Sequence, residues 1–342
     1  MSVFTSDNAA GVHPEVLEAL VRAGAGRAVG YGDDVHTARA VACLRGHFGA
    51  AAEVQLVWGG TAANVIGLAA VVEPWQSVLC ADTAHLMLDE CAAPERFLGG
   101  KLVAVPAVHG KVSCDAVNAG IRGVGVVHHA QPRVLSIAQP TEVGTVYTVE
   151  ELRELARLCH ERGLLLHVDG ARLPAAAAFL DLPLGALTAD VGVDLLSFGG
   201  TKSGLMGAEA VVWLTPEHSR GAPYHRKQAM QLASKMRFLA AQLEALLAGD
   251  LWLRVARHAN AAARRLADGV RRLSHVQLVH PVETNAVFAR LPAAAVDALQ
   301  VDFQFLVWER DPSRPVVRWM TAFDTTDDEV DRFVDAIAAT GG

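Results

Sequence analysis

Between residues 54 and 215, short and continuous apolar runs alternate with longer stretches of helical period. The runs at 54–58, 77–80, 102–105, 134–138, 164–168, 194–198 and 210–214 read as strands. Helices are expected at 61–72 and 148–161, and an Ala-rich start of a close-packed helix at 175–178. Thr148 stands as the cap of the second helix with Glu151 three residues on, the spacing of a capping box. Strands that are apolar at every position, rather than at alternate ones, are covered on both faces. Helical links between such strands imply a mostly parallel sheet. After about Gly221 the texture changes. Long helices are expected at 228–247 and 250–273, strands at 276–279, 286–289 and 316–320, and helices at 293–299 and 326–339. The expected class is therefore α/β: a large domain over residues 1–245, with an N-terminal arm, and a smaller C-terminal α+β domain over 246–342, divided within a helix.

Composition narrows this picture. The chain has 342 residues, 51% of them hydrophobic, enough for a large core. A net charge of −7 with no basic run gives no reason to expect nucleic acid or an anionic membrane as partner. The N-terminus lacks the basic start and apolar stretch of a signal peptide. Residues 54–72 carry no charge, but two glycines, a threonine and an asparagine interrupt them, so strand, turn and buried helix fit better than a membrane span. Five scattered cysteines form no C-x-x-C pair. They read as buried small hydrophobes in a reducing cytoplasm, not as disulfides or zinc ligands, and no metal site is expected.

The chemistry-bearing residues cluster at strand ends. Lysine is scarce, with five in the chain, and Lys202 lies in Ser197-Phe198-Gly199-Gly200-Thr201-Lys202-Ser203-Gly204. An apolar strand leads in and glycines flank it, as a lysine entering a pocket would need, although many surface loops look alike. Thirty-three residues earlier stands His167-Val168-Asp169-Gly170-Ala171-Arg172. Ligands of parallel sheets bind beyond the carboxyl ends of strands, where Asp169 would sit, though an aspartate there also caps helices. Trp58-Gly59-Gly60-Thr61 ends a strand, turns, and opens a helix, which suits a phosphate. It is neither a dinucleotide fingerprint nor a P-loop. His85, in Asp82-Thr83-Ala84-His85, could stack on a ring or act as a base; a lone histidine is more often structural.

Taken in this order, these segments resemble the L-threonine aldolases that depend on pyridoxal 5'-phosphate (PLP), and most of all their bacterial branch that also handles phenylserine-type substrates. Ser6-Asp7-Asn8 and Tyr31-Gly32-Asp33-Asp34 share the resemblance, which covers nearly the whole chain. It implies PLP fold type I, like aspartate aminotransferase, with a mostly parallel seven-stranded sheet. It implies cleavage of L-β-hydroxy-α-amino acids to glycine and an aldehyde. Carried over residue by residue, Lys202 is the Schiff-base lysine and Asp169 the partner of the pyridine nitrogen. Gly60 and Thr61 bind the phosphate, and His85 stacks on the ring. Ser6, Arg172 and Arg318 hold the substrate carboxylate, with Arg172 also against the cofactor. His128, with its neighbour His129 one residue away, matches a second active-site histidine. Lys227 and Arg237 match a segment that reaches a neighbouring subunit's phosphate, although 227–237 is lengthened here. A dimer is the implied minimum and a tetramer the expected assembly. The base stays open among His85, His128 and a held water.

Departures from the family pattern lie near the substrate side chain. A Glu-Asn-Thr-His segment is usual where this chain has Gln139-Pro140-Thr141-Glu142, and Asn8 replaces a threonine. Threonine, allo-threonine and phenylserine all remain candidates. Other PLP reactions on the same scaffold share these cofactor motifs: β-elimination, transamination, racemisation, or aldol transfer with threonine as glycine donor. A scaffold that binds without catalysis is a further alternative, against which the intact Lys202, Asp169 and Arg318 argue.

Overall fold

A computed structural model describes residues 2–341. Seven strands build the large sheet: β1 (Glu53–Val57), β2 (Gln76–Ala81), β3 (Lys101–Val105), β4 (Gln131–Ala138), β5 (Leu165–Gly170), β6 (Leu195–Gly199) and β7 (Glu209–Trp213). Their spatial order is β1-β7-β6-β5-β4-β2-β3. All neighbours are parallel except β7, which runs antiparallel to both β1 and β6. The apolar runs of the sequence are these strands. Leu195, Leu196 and Phe198 of β6 are each at most 1% exposed. Burial on both faces is worth ~1.5–3 kcal/mol per large side chain.

Helices of eight or more residues are α1 (Pro14–Gly24), α2 (Val35–Phe48), α3 (Gly60–Ala69), α4 (Val149–Glu161), α5 (Leu173–Leu180), α6 (Arg237–Leu247), α7 (Leu251–Val270) and α8 (Asp327–Ala339). The capping box of α4 forms as its spacing requires, with Thr148 and Glu151 each satisfying the other's backbone N–H. The uncharged stretch 54–72 is β1, a glycine turn and α3, and among the described residues no single helix is long and apolar enough to cross a membrane.

A second sheet of four antiparallel strands comprises β8 (Gln277–Leu278), β9 (Ala286–Arg290), β10 (Leu306–Glu309) and β11 (Val316–Met320), in the order β8-β9-β11-β10. It has its own core around Trp319 and Phe333. The expected division at 245/246 falls inside α6. The following helix, α7, joins the two cores, with Leu251, Trp252 and Val255 in the first and Ala262, Leu266 and Val270 in the second. The N-terminal arm crosses over to the second unit: Ser2 and Val3 pair with Phe303 and Gln304, and Phe4 stacks on Phe333 at 4.6 Å between ring centroids.

One expected element differs. In place of one helix over 228–247, a short helix ends at Gln228 and α6 begins at Arg237. Met230 between them has φ +62°, which breaks the helical path. Tertiary bonds hold the break open: the Gln231 side-chain oxygen accepts from Trp58 N–H at 3.0 Å, and Ser234 C=O accepts from Tyr31 N–H at 3.0 Å. α1, α2 and β10 lie outside the expected elements, although α1 has a clear amphipathic face with Val16, Ala19 and Ala23 buried.

Candidate active site

The carboxyl ends of the parallel strands open on a cavity of about 310 Å³. Ser6, Gly60, Thr61, His85, Asp169, Arg172, Lys202 and Arg318 all line it, although they are spread over more than 300 residues of chain.

Its floor is the end of β5. Asp169 accepts from Asn64 Nδ2 at 3.0 Å and from Ala171 N–H at 2.9 Å. Burial alone would raise its pKa, but the Asn64 hydrogen bond, the Lys202 charge, the Ala171 N–H and His167 outweigh it and keep a carboxylate. Beneath the floor, His167 is fully buried between Ser136 and Ser197 at 2.9 and 3.0 Å. Burial drives its pKa down to about 4, so it ties three neighbouring strands together as a neutral ring.

Lys202 follows β6 on a tight turn. A Cβ at Gly199 would overlap the Ala171 backbone, and one at Gly200 would overlap Leu205 and Ala208 C=O. The glycines around the lysine are therefore required by close backbone approach. The Arg172 charge, and then burial, lower the Lys202 pKa, which favours the free amine that a Schiff base needs. Glu209 stands behind the turn, 5% exposed, and its Oε2 accepts from Gly200 N–H at 2.9 Å. Burial raises its pKa to about 7.

On the other side, His85 Nδ1 lies 2.9 Å from Glu90 Oε1, and Asn64 Nδ2 donates to that same oxygen at 2.8 Å. A continuous chain of bonds thus runs from His85 through Glu90 and Asn64 to Asp169. The Glu90 hydrogen bond raises the His85 pKa against the opposing effect of burial. At the cavity wall Gly59 caps α3 without any side-chain hydrogen bond, which leaves the first-turn amides near Gly60 and Thr61 to a ligand.

Cations dominate the remaining wall. Arg172 donates through Nε and Nη2 to both oxygens of Asp7, at 2.6 and 2.9 Å. Asp7 also accepts from Asn285 at 3.1 Å. Burial would raise the Asp7 pKa, but the charge and hydrogen bonds of Arg172, helped by Lys202 and Asn285, hold it down. Arg318 donates to Thr5 C=O at 3.0 Å and lies 5.3 Å over the Trp308 ring, while its Nε has no partner among the described residues. Leu306, Trp308 and Pro140 add the apolar part of the wall.

Three expected residues stand elsewhere. His128 is exposed in the turn before β4, at the amino end of the strand. The cavity opens at the carboxyl end, where Ala138 pairs with Asp169, so the length of an eight-residue strand, roughly 25 Å, separates His128 from it. This chain therefore does not use His128 in its own cavity, and His129 sits in the same turn. Lys227 is exposed, its Nζ 5.6 Å over the Tyr31 ring, and Arg237 lies beside Phe238 and Gly26 C=O. Neither lines the cavity. The sequence reading assigned no role to Asp7, Glu90, Glu142, Glu209 or Trp308. Asp7 and Glu142 lie within motif segments but carry no local signal, because their partners are remote in sequence.

The donor set fits PLP: an ionised carboxylate on the floor, a half-buried lysine of lowered pKa across from it, and an uncapped helix start for the phosphate. Fold and site together define an enzyme of PLP fold type I. The beta-eliminating lyase family model matches residues 4–294. A low specificity L-threonine aldolase from Pseudomonas aeruginosa is 44% identical over 302 residues, covering 87% of this chain and 86% of the relative. One from Saccharomyces cerevisiae is 29% identical, covering 83% and 72%. The solved structure of Leishmania major threonine aldolase superposes with a TM-score of 0.95 at 29% identity over the full length of both chains. Aspartate aminotransferase from Thermus thermophilus shares the fold alone, with a TM-score of 0.73 at 18% identity. The chain belongs to the beta-eliminating lyase family, in its PLP-dependent, threonine-aldolase-like branch of carbon–carbon lyases.

Proposed function

We propose that this protein cleaves L-β-hydroxy-α-amino acids of the threonine, allo-threonine or phenylserine type, reversibly, to glycine and an aldehyde. The carrying observation is the convergence of Lys202, Asp169, the start of α3 and the Arg172–Arg318 pair on one cavity. PLP bound through Lys202 supplies the sink for the electron pair of the broken Cα–Cβ bond. Asp169 is held ionised to keep the ring nitrogen protonated. Gly60 and Thr61 receive the phosphate, and His85, steadied by Glu90, covers the ring. Ser6, Arg172 and Arg318 take the substrate carboxylate, and this clamp turns the Cα–Cβ bond toward the orientation in which it breaks. Asp7 fixes the Arg172 guanidinium in place. Leu306, Trp308 and Pro140 leave an apolar berth for the side chain that departs as aldehyde.

The working assembly is a dimer at least, and a dimer of dimers in the full form. Tyr31, Trp58, Met206 and Met230 are exposed on the face that carries Lys227, an apolar area that a second copy would cover, bringing Lys227 and Arg237 toward its neighbour's phosphate. Five unpaired cysteines suit the cytoplasm. The test is the visible spectrum of the purified protein before and after glycine, followed by product analysis with β-hydroxy-amino acids. A Schiff-base band that moves to longer wavelength with glycine, with aldehyde and glycine as products, is expected. A 2-oxo acid that keeps the substrate's whole carbon skeleton, released with ammonia, would instead identify an eliminating lyase.

A further inference from the structure

Cleavage requires a group that accepts the β-hydroxyl proton, and the cavity holds few that can. Asp169 is committed to Asn64 and Ala171, and Asp7 to Arg172 and Asn285. Glu90 is committed to Asn64 and His85, with its other oxygen buried. Asp89 is exposed at the rim. His85 is engaged through Nδ1 with Glu90 at 2.9 Å, and its ring is the one assigned to cover the cofactor. Glu142 is different. It lines the cavity just beyond the end of β4, beside Pro140, and one of its oxygens accepts from the His85 amide N–H at 3.0 Å. Among the described residues it forms no ion pair, and the only further bond to its carboxylate comes from its own backbone N–H.

We propose that Glu142 is the catalytic base of carbon–carbon cleavage, and the acid of the reverse addition, acting directly on the β-hydroxyl of the substrate. The inference rests on the aldolase reading above and names the group which that reading leaves open. In cleavage the hydroxyl O–H bond breaks and its proton passes to the free Glu142 oxygen. The C–O bond becomes the aldehyde C=O as the Cα–Cβ pair stays with the glycine fragment. One proton is then added at Cα, so the whole reaction is proton-neutral. The other oxygen keeps its bond to the His85 N–H in both protonation states, so Glu142 can cycle without reorienting. Enclosure raises its pKa to about 7, with the Asp169 charge adding and the His85 N–H opposing. His85 on the adjoining turn, Asp169 on β5 and Arg172 beyond it, Cys80 on β2 and Tyr147 ahead of α4 are the titratable and charged groups that interact with it. A base of this pKa is near the optimum for proton transfer at neutral pH.

The test compares the wild type with Glu142→Gln in the holoenzyme. Gln keeps an acceptor for the His85 N–H and removes the proton site. Wild-type kcat for aldehyde release should rise with pH through about 7 and then level. In Glu142→Gln that limb should vanish and kcat fall by roughly 100-fold or more, while the spectral shift with glycine, which has no β-hydroxyl, persists. An infrared pH titration of the cofactor-free protein supplies a readout independent of turnover. In a Glu209→Gln background, a protonated-carboxyl band that is lost near neutral pH should be present with Glu142 and absent with Gln. Glu142→Gln that keeps both the limb and cleavage within about threefold of wild type would remove Glu142 from the reaction. If the wild type itself shows no glycine shift and releases no aldehyde, the aldolase reading fails instead.

Discussion

At the residue scale, the cavity pairs each charge with a stated purpose. Lys202→Ala should abolish the Schiff-base band and the lyase activity together; retained turnover would break the assignment of Lys202. Arg318→Ala should raise KM at least tenfold, because one of two carboxylate-binding guanidinium groups is lost, and an unchanged KM would place the carboxylate elsewhere. Glu209 bears on stability. In the unfolded chain it ionises near 4.5, and in the folded protein at about 7. The folded state therefore holds a proton that the unfolded state has released. That contribution is complete below pH 4.5 and is lost as pH rises through 7. Glu209→Gln keeps an acceptor for Gly200 N–H and should be more stable than wild type at pH 8.5, by up to roughly 3 kcal/mol, with no such gain at pH 4.5. Paired urea titrations at the two pH values would measure it, and an equal effect at both would refute it.

At the scale of elements, the turn from β6 into Lys202 packs directly on the turn that follows β5. Gly199 makes this contact possible, since any Cβ there meets the Ala171 backbone, which cannot move without Asp169. Gly199→Ala should cost more than about 2 kcal/mol through overpacking and should weaken PLP binding in the fraction that folds. A thermal melt and a cofactor titration test both parts, and wild-type values in both would show that the backbones can separate. The helix break at 229–236 belongs to the same scale. Local period favours helix there, yet Gln231 and Ser234 are bonded to Trp58 and Tyr31, far away in sequence. Tertiary hydrogen bonds override a weak local preference.

For the whole molecule, the N-terminal arm is the connector. Phe4 belongs to the core of the second unit, Asp7 bridges Arg172 of the large sheet to Asn285 beside the small one, and Ser6 and Asn8 face the cavity. Asp7→Asn leaves the Arg172 guanidinium buried without its counter-charge. It should destabilise the protein by about 3 kcal/mol and raise KM, whereas Asp331→Asn, which breaks the exposed Arg265 pair, should cost no more than about 1 kcal/mol. Denaturation of the two variants side by side tests the contrast, and equal losses would contradict it.

The sequence by itself determined the α/β class, six of the seven large-sheet strands nearly to the residue, the α4 capping box and the glycine turns beside Lys202 and Asp169. These features are local, since apolar runs, caps and glycine turns are written in neighbouring positions. Tertiary structure decided the rest. It placed His128 at the wrong end of a strand, a matter of direction that a motif does not carry. It brought Asp7 to Arg172 across 165 residues, and it enclosed Glu142 and Glu209 and thereby raised their pKa values. A carboxylate's burial and partners come from distant chain segments packing together, and no pattern of adjacent residues encodes them.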